Sequence, residues 1–180
     1  MKKLMTLLCL SSLPLFAHAA AFSLKSADFA DNGVMKKALG GNDKNNLSCS
    51  GKNLSPALSW ANPPVGTQSY VLLLTDPAGA KGLGVTHMLA YNIDATRNKF
   101  QQGELSKGGN FSYGTNTPGT QNYYGPCPPA GAGYHHYNFV LVATDLANGT
   151  LPAGLSHTEL VAKLKGHALG SASLVGRLEN

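Results

Sequence analysis

Three apolar runs dominate the chain. Gln68 to Thr75 (QSYVLLLT) and Val85 to Ile93 (VTHMLAYNI) are near-continuous, as in strands buried on both faces, and Tyr137 to Asp145 (YNFVLVATD) is a third. Weaker patterns flank them. Phe22 to Phe29 alternates loosely and predicts the first strand. Leu58-Ser59-Trp60 predicts a short strand that stops at Pro63-Pro64, and Leu169 to Leu178 predicts the last strand. Ser156 and Glu159 form a capping box that opens a helix to about His167, with Leu160, Val161, Leu164 and Ala168 at helical spacing. Asp31 to Lys52 and Asp94 to Tyr134 are rich in Gly, Asn and Pro and read as loop. So long an irregular stretch as the second is rare inside a compact domain, and function is the expected reason for it. One helix among six or more strands predicts a mainly β fold without internal repeats.

The N-terminus changes the arithmetic. Lys2 and Lys3 precede an apolar run from Leu4 to Phe16, and Ala17-His18-Ala19 has the small-x-small form of a signal-peptidase site. Residues 1–19 therefore read as a cleaved signal peptide and 20–180 as one domain, periplasmic or secreted. Taking those 19 residues and their two lysines from 180 residues at +5 leaves 161 residues at +3. Two of three cysteines remain, Cys49 and Cys127. An even pair in an exported chain reads as a disulfide, with two buried thiols as the alternative. The basic residues are scattered, which argues against a nucleic-acid partner. No second apolar run reaches transmembrane length.

With only 13% charged residues, polar groups next to apolar runs stand out. Asp76 ends the first run, His87 lies inside the second, and His135 and Tyr137 begin the third. Residues two apart in a strand share a face. Converging on one cavity, these four side chains would suit a small anion. The imidazoles and phenol would donate hydrogen bonds, and Asp76 would fix a tautomer or raise a histidine pKa. Gly125-Pro126-Cys127-Pro128-Pro129 would form a rigid wall, with the backbone N–H groups of Gly125 and Cys127 as further donors. The plainer alternatives are a core histidine satisfied by a carbonyl and an Asp-Pro turn. His87, His135, His136 and Asp76 are permissible zinc ligands. However, His135 and His136 point opposite ways in a strand, and no metal-binding spacing is present. No nucleophile elbow occurs. The sequence thus assigns no catalytic residue, metal or cofactor.

These residues resemble a known family. Cys49-Ser-Gly-Lys-Asn53-Leu-Ser55-Pro56-Ala-Leu58-Ser-Trp60 is similar to a segment of the bacterial phosphatidylethanolamine-binding proteins, the Raf-kinase-inhibitor-like or YbhB/YbcL group. Asp76-Pro77 with His87 and Asn92 resembles the family's first signature. Gly114-Thr-Asn116 through Gly125-Pro-Cys127-Pro-Pro129, Gly131 and His135-His-Tyr137 resembles the second. His167-Ala-Leu169 with Ser171-Ala-Ser-Leu174 is similar to the C-terminal strand. The resemblance implies two antiparallel β-sheets with one or two C-terminal helices. It also implies a shallow pocket for phosphate-like or carboxylate anions, including phospholipid head groups. By position Asp76, His87, His135 and Tyr137 would line that pocket, with Gly125 and Cys127 at its wall. It implies a ligand-binding modulator rather than an enzyme. The alternatives are a protease or kinase inhibitor acting by protein contact and a metal-dependent hydrolase.

The chain departs from the family pattern at several places. The family's D-P-D-A-P is Asp76-Pro-Ala78-Gly-Ala80, its Trp before the pocket histidine is absent at Val85-Thr86, and its H-R-Y is His135-His136-Tyr137. An acid and a base are missing together, as expected if they pair in relatives. Losing the Trp and the Pro predicts a more open rim.

Overall fold

In the computed structural model, which describes residues 20–180, the chain forms nine strands. These are β1 (Ser23–Ser26), β2 (Gly33–Val34), β3 (Leu58–Ala61), β4 (Ser69–Asp76), β5 (Val85–Asp94), β6 (Lys99–Phe100), β7 (Ser112–Tyr113), β8 (His135–Thr144) and β9 (Ala168–Leu178). The proposed signal peptide lies outside the described residues. Two sheets result, one ordered β1-β3-β6 and one ordered β2-β9-β8-β4-β5-β7. All pairings are antiparallel except β2 with β9, which run parallel at one edge.

The three apolar runs become β4, β5 and β8, adjacent in the larger sheet. Their continuity has a plain cause, because both faces of that sheet are covered. On one face Leu72, Leu74, Phe139 and Leu141 pack with Leu24, Leu58, Trp60 and Phe100 of the small sheet. On the other, Val71, Leu89 and Tyr91 meet Leu160 and Leu164 of the helix His157–Leu164. Both halves of the capping box are present on Ser156 and Glu159. The helix stops at Leu164 rather than near His167, because Gly166 takes a left-handed φ of 82° and turns the chain into β9. Val161 is consequently exposed and Ala168 belongs to a strand.

The two stretches read as loop contain short elements. Asp31 to Lys52 holds β2 and a 3-10 turn at Lys37–Leu39. Asp94 to Tyr134 holds β6, β7 and one helical turn at Glu104–Lys107. Pieces of two to four residues are too short to carry a readable periodicity. Asn180 ends the chain by donating Nδ2 to the carbonyls of Ser48 (2.5 Å) and Pro128 (3.3 Å).

Asn92 shows how a signature residue can be structural. It sits in β5 with a φ of 55°, beside a register shift against β4. Its buried Nδ2 donates to Leu151 O (2.8 Å) and Ser112 Oγ (2.9 Å), and its Oδ1 accepts the Leu151 N–H at 3.3 Å. Asn tolerates the left-handed backbone better than alanine does. Asn92→Ala therefore orphans buried backbone groups and strains the bulge, at a cost of about 2–3 kcal/mol. Thermal unfolding should show a midpoint lower by about 5–10 °C. A shift within error would mean that the bulge is held without this side chain.

Candidate functional site

Asp76, His87 and His135 come together because β8, β4 and β5 are neighbours and their relevant ends coincide. Asp76 closes β4, His135 opens β8, and His87 lies near the start of β5. The β4–β5 register jumps from Leu74↔Met88 to Thr75↔Thr86, which leaves His87 as the extra residue of a bulge. Such a bulge re-aims side chains by breaking the strict alternation of a strand. Met88 is part of the inter-sheet core, and the His87 ring packs on the same side, edge-on against Tyr137 at 5.3 Å.

Each imidazole is anchored through Nδ1. His135 Nδ1 donates to Asp76 Oδ2 at 2.7 Å. His87 Nδ1 lies 2.8 Å from the carbonyl of Tyr124, which can only accept, so this nitrogen carries the proton. No Nε2 of either ring has a partner among the described residues, and neither is among the sealed polar atoms. Both rings line a cavity of about 360 Å³, with Asp76, Lys81, Tyr124 and Cys127 and with apolar walls at Ala78, Val85 and Pro129. His87 is held below the ordinary 6.5 chiefly by burial, which the Tyr124 carbonyl and the charge of Asp76 oppose. A larger, open depression of about 620 Å³ lies at the other end of β5, around Asp94, Arg97 and Glu104. There Arg97 pairs with Glu104 and Asp94 accepts from Thr96, which leaves Lys99 as its one charge without such a partner among the described residues. The histidine cavity instead brings two imidazoles with unpartnered Nε2 atoms together and is the better candidate.

Cys49 and Cys127 are disulfide-bonded, with Cα atoms 5.0 Å apart, and this ties the wall of the cavity to the loop after β2. Gly125 plays a different part from the expected one. Its N–H is taken by Asn53 Oδ1 at 2.8 Å and it does not line the cavity. A Cβ there would stand 2.7 Å from Asn53 Oδ1 and 2.8 Å from Gly41 N, so glycine is needed for close approach of two backbones. Tyr137 also differs from expectation. It is fully buried beneath the imidazoles, and burial pushes its phenol well above the ordinary range against the opposing effect of the Cys127 N–H. It is the floor under the rings and not part of the lining.

A family profile described as phosphatidylethanolamine-binding protein matches residues 25–179. The chain belongs to this family. An Aquifex aeolicus relative named UPF0098 protein is 34% identical over 131 residues, covering 72% of this chain and 76% of that one. LppC of Mycobacterium tuberculosis, whose given name proposes a lipoprotein, is 36% identical over 133 residues, 74% of this chain and 64% of its own length. The crystal structure of E. coli YbcL, called a new member of the mammalian PEBP family, superposes with a TM-score of 0.80 at 25% identity. That match covers 89% of this chain and 99% of that one.

The fold is thus that of the phosphatidylethanolamine-binding proteins. Sequence reasoning missed Tyr124, whose ring stacks on His87 at 5.4 Å and 16° and whose carbonyl sets the tautomer. It missed Lys81 in the rim. It also gave no role to Asn116, which is buried and donates Nδ2 to His87 O at 3.3 Å. Asn116 is the one of the three that a motif already marked. His136 faces away from His135 on β8 and is exposed, opposite Arg177 of β9. Among the described residues no group of three or more His, Cys, Asp or Glu has a metal-holding arrangement, and no helix is long and apolar enough to cross a membrane.

Proposed function

We propose that this is an exported ligand-binding protein that holds a small phosphate-like or carboxylate anion between His87 and His135 and catalyses no reaction. The anchoring of both Nδ1 atoms carries the reading. With Nδ1 fixed as donor to a protein acceptor, each Nε2 is left for a ligand, and it donates to an anion only when the ring is protonated. Export is supported by the leader-like residues 1–19, by a disulfide that needs an oxidising compartment, and by a relative named as a lipoprotein.

Binding should be coupled to proton uptake. Empty, His87 is kept neutral by burial; an anion on Nε2 favours the charged form. Affinity for inorganic phosphate is therefore expected to be full below the free-state pKa of His87. It should fall as pH rises through the higher pKa of the complex. Calorimetric titration in buffers of differing ionisation heat reads the protons taken up. An affinity that is flat between pH 5 and 8, with no proton uptake, would remove His87 from the site. Without ligand the sign reverses for stability. A depressed folded-state pKa means that the unfolded chain binds more protons, so the contribution of His87 is full above 6.5 and is lost as pH falls below it.

A further inference from the structure

The rim turn from Ala78 to Gly84 gives the cavity a charge pattern of its own. Among the lining residues Lys81 is the single Lys or Arg, and Asp76 is the single carboxylate. Lys81 makes no ion pair among the described residues. Both oxygens of Asp76 already accept a hydrogen bond. Its Oδ2 accepts from His135 Nδ1 at 2.7 Å, and its Oδ1 accepts the Ala78 N–H at 3.0 Å. Ala78, two residues on, lies in the cavity wall and adds no charge.

The placement of Lys81 is a built feature. Ala80 and Lys81 have φ values of 51° and 59°, which side-chain-bearing residues adopt at a steric cost, and Gly82 and Gly84 also have positive φ on either side of Leu83 at −82°. The turn is closed by Gly82 N–H to Ala78 O (3.1 Å) and Gly84 N–H to Gly79 O (2.9 Å). It packs so closely that a Cβ on Gly79 would sit 2.6 Å from Val85 Cγ2. Lys81 is thereby held in the lining of the same cavity as the two imidazoles. A ligand bearing its own ammonium would meet that cation and protonated rings, and would find no unengaged carboxylate. The aromatic face that could take an ammonium is partly used, since Tyr124 stacks on His87.

We propose that Lys81 makes the cavity select phosphate esters with an uncharged substituent, of the glycerol phosphate kind, over aminoalkyl phosphates. The selectivity rests on the anion reading of the same cavity. The test titrates wild type, Lys81→Met and Lys81→Arg with inorganic phosphate, glycerol 3-phosphate and phosphoethanolamine at pH 7 and low ionic strength. Wild type should prefer glycerol 3-phosphate about threefold to fivefold, the size of one exposed charge pair. The preference should persist in Lys81→Arg, vanish in Lys81→Met, and shrink with added salt in wild type. Equal affinities in wild type, a preference for phosphoethanolamine, or an undiminished preference in Lys81→Met overturns the selectivity. If inorganic phosphate does not bind wild type, the anion site itself is refuted and the selectivity falls with it. If phosphate binds while the two esters are not told apart, only the role of Lys81 is lost.

Discussion

His135→Ala should weaken phosphate binding about 100-fold or more, a larger loss than His87→Ala produces. Two effects add in the first variant. One ligand donor disappears, and Asp76, 3% exposed, loses the imidazole that holds its Oδ2 at 2.7 Å. Leaving a buried carboxylate oxygen without its hydrogen-bond donor costs about 1–3 kcal/mol, and more because the group is charged. Part of that cost falls on folding and part on the ligand, since an unpaired carboxylate repels an incoming anion; each 1.4 kcal/mol of the latter is about tenfold in affinity. His87→Ala removes a donor but orphans only the neutral carbonyl of Tyr124, so a loss of about tenfold is expected. The double variant Asp76→Asn/His135→Ala should regain part of the affinity lost by His135→Ala alone. Titration calorimetry gives the affinities, and the near-UV circular dichroism of each variant confirms that it is folded. Wild-type affinity in both single variants would place the anion elsewhere.

Loss of the disulfide should produce the largest stability change. Cys49 and Cys127 are 78 residues apart, and closing a loop of that length removes chain entropy worth about 4–5 kcal/mol from the unfolded state in the loop-closure treatment. Cys49→Ala/Cys127→Ala is therefore expected to lower the urea midpoint strongly, with added reductant doing the same to wild type. The effect should extend to binding, because Cys127 lines the cavity. The wall is not held by sulfur alone: Gly41 N–H donates to Pro126 O at 2.7 Å, and Gly125 N–H to Asn53. Binding should therefore fall less steeply than stability. An unchanged urea midpoint on reduction would show that these backbone bonds suffice.

Asp76, His87 and His135 were legible in the sequence because burial makes polar groups next to apolar runs expensive, so their presence had to be explained. The same logic could not separate Tyr137 from them. Residues two apart in a strand share a face, but one can line a cavity while the next packs as its floor. Gly125 was misread for a related reason: a backbone N–H is available only if nothing else takes it, and Asn53 lies 72 residues away in the chain. Lys81 and Tyr124 lie in segments without periodicity, where only coordinates show which side chains turn inward. The β2–β9 edge cannot be read from the sequence, because a two-residue pairing leaves no pattern. The three long strands, the capping box and the last strand were visible because each carries a repeated signal.

The position of β9 has a consequence for the timing of synthesis. It is the last strand made, yet it fills the slot between β8 and β2 and pairs along its length with β8. While β9 is still within the ribosome, β8 has an open edge, β2 has no partner, and Asn180 cannot fasten Ser48 to Pro128. The larger sheet therefore closes only after Ala168–Leu178 has been made. On the export route proposed above, this late closure would defer assembly of the cavity until β9 has crossed the membrane.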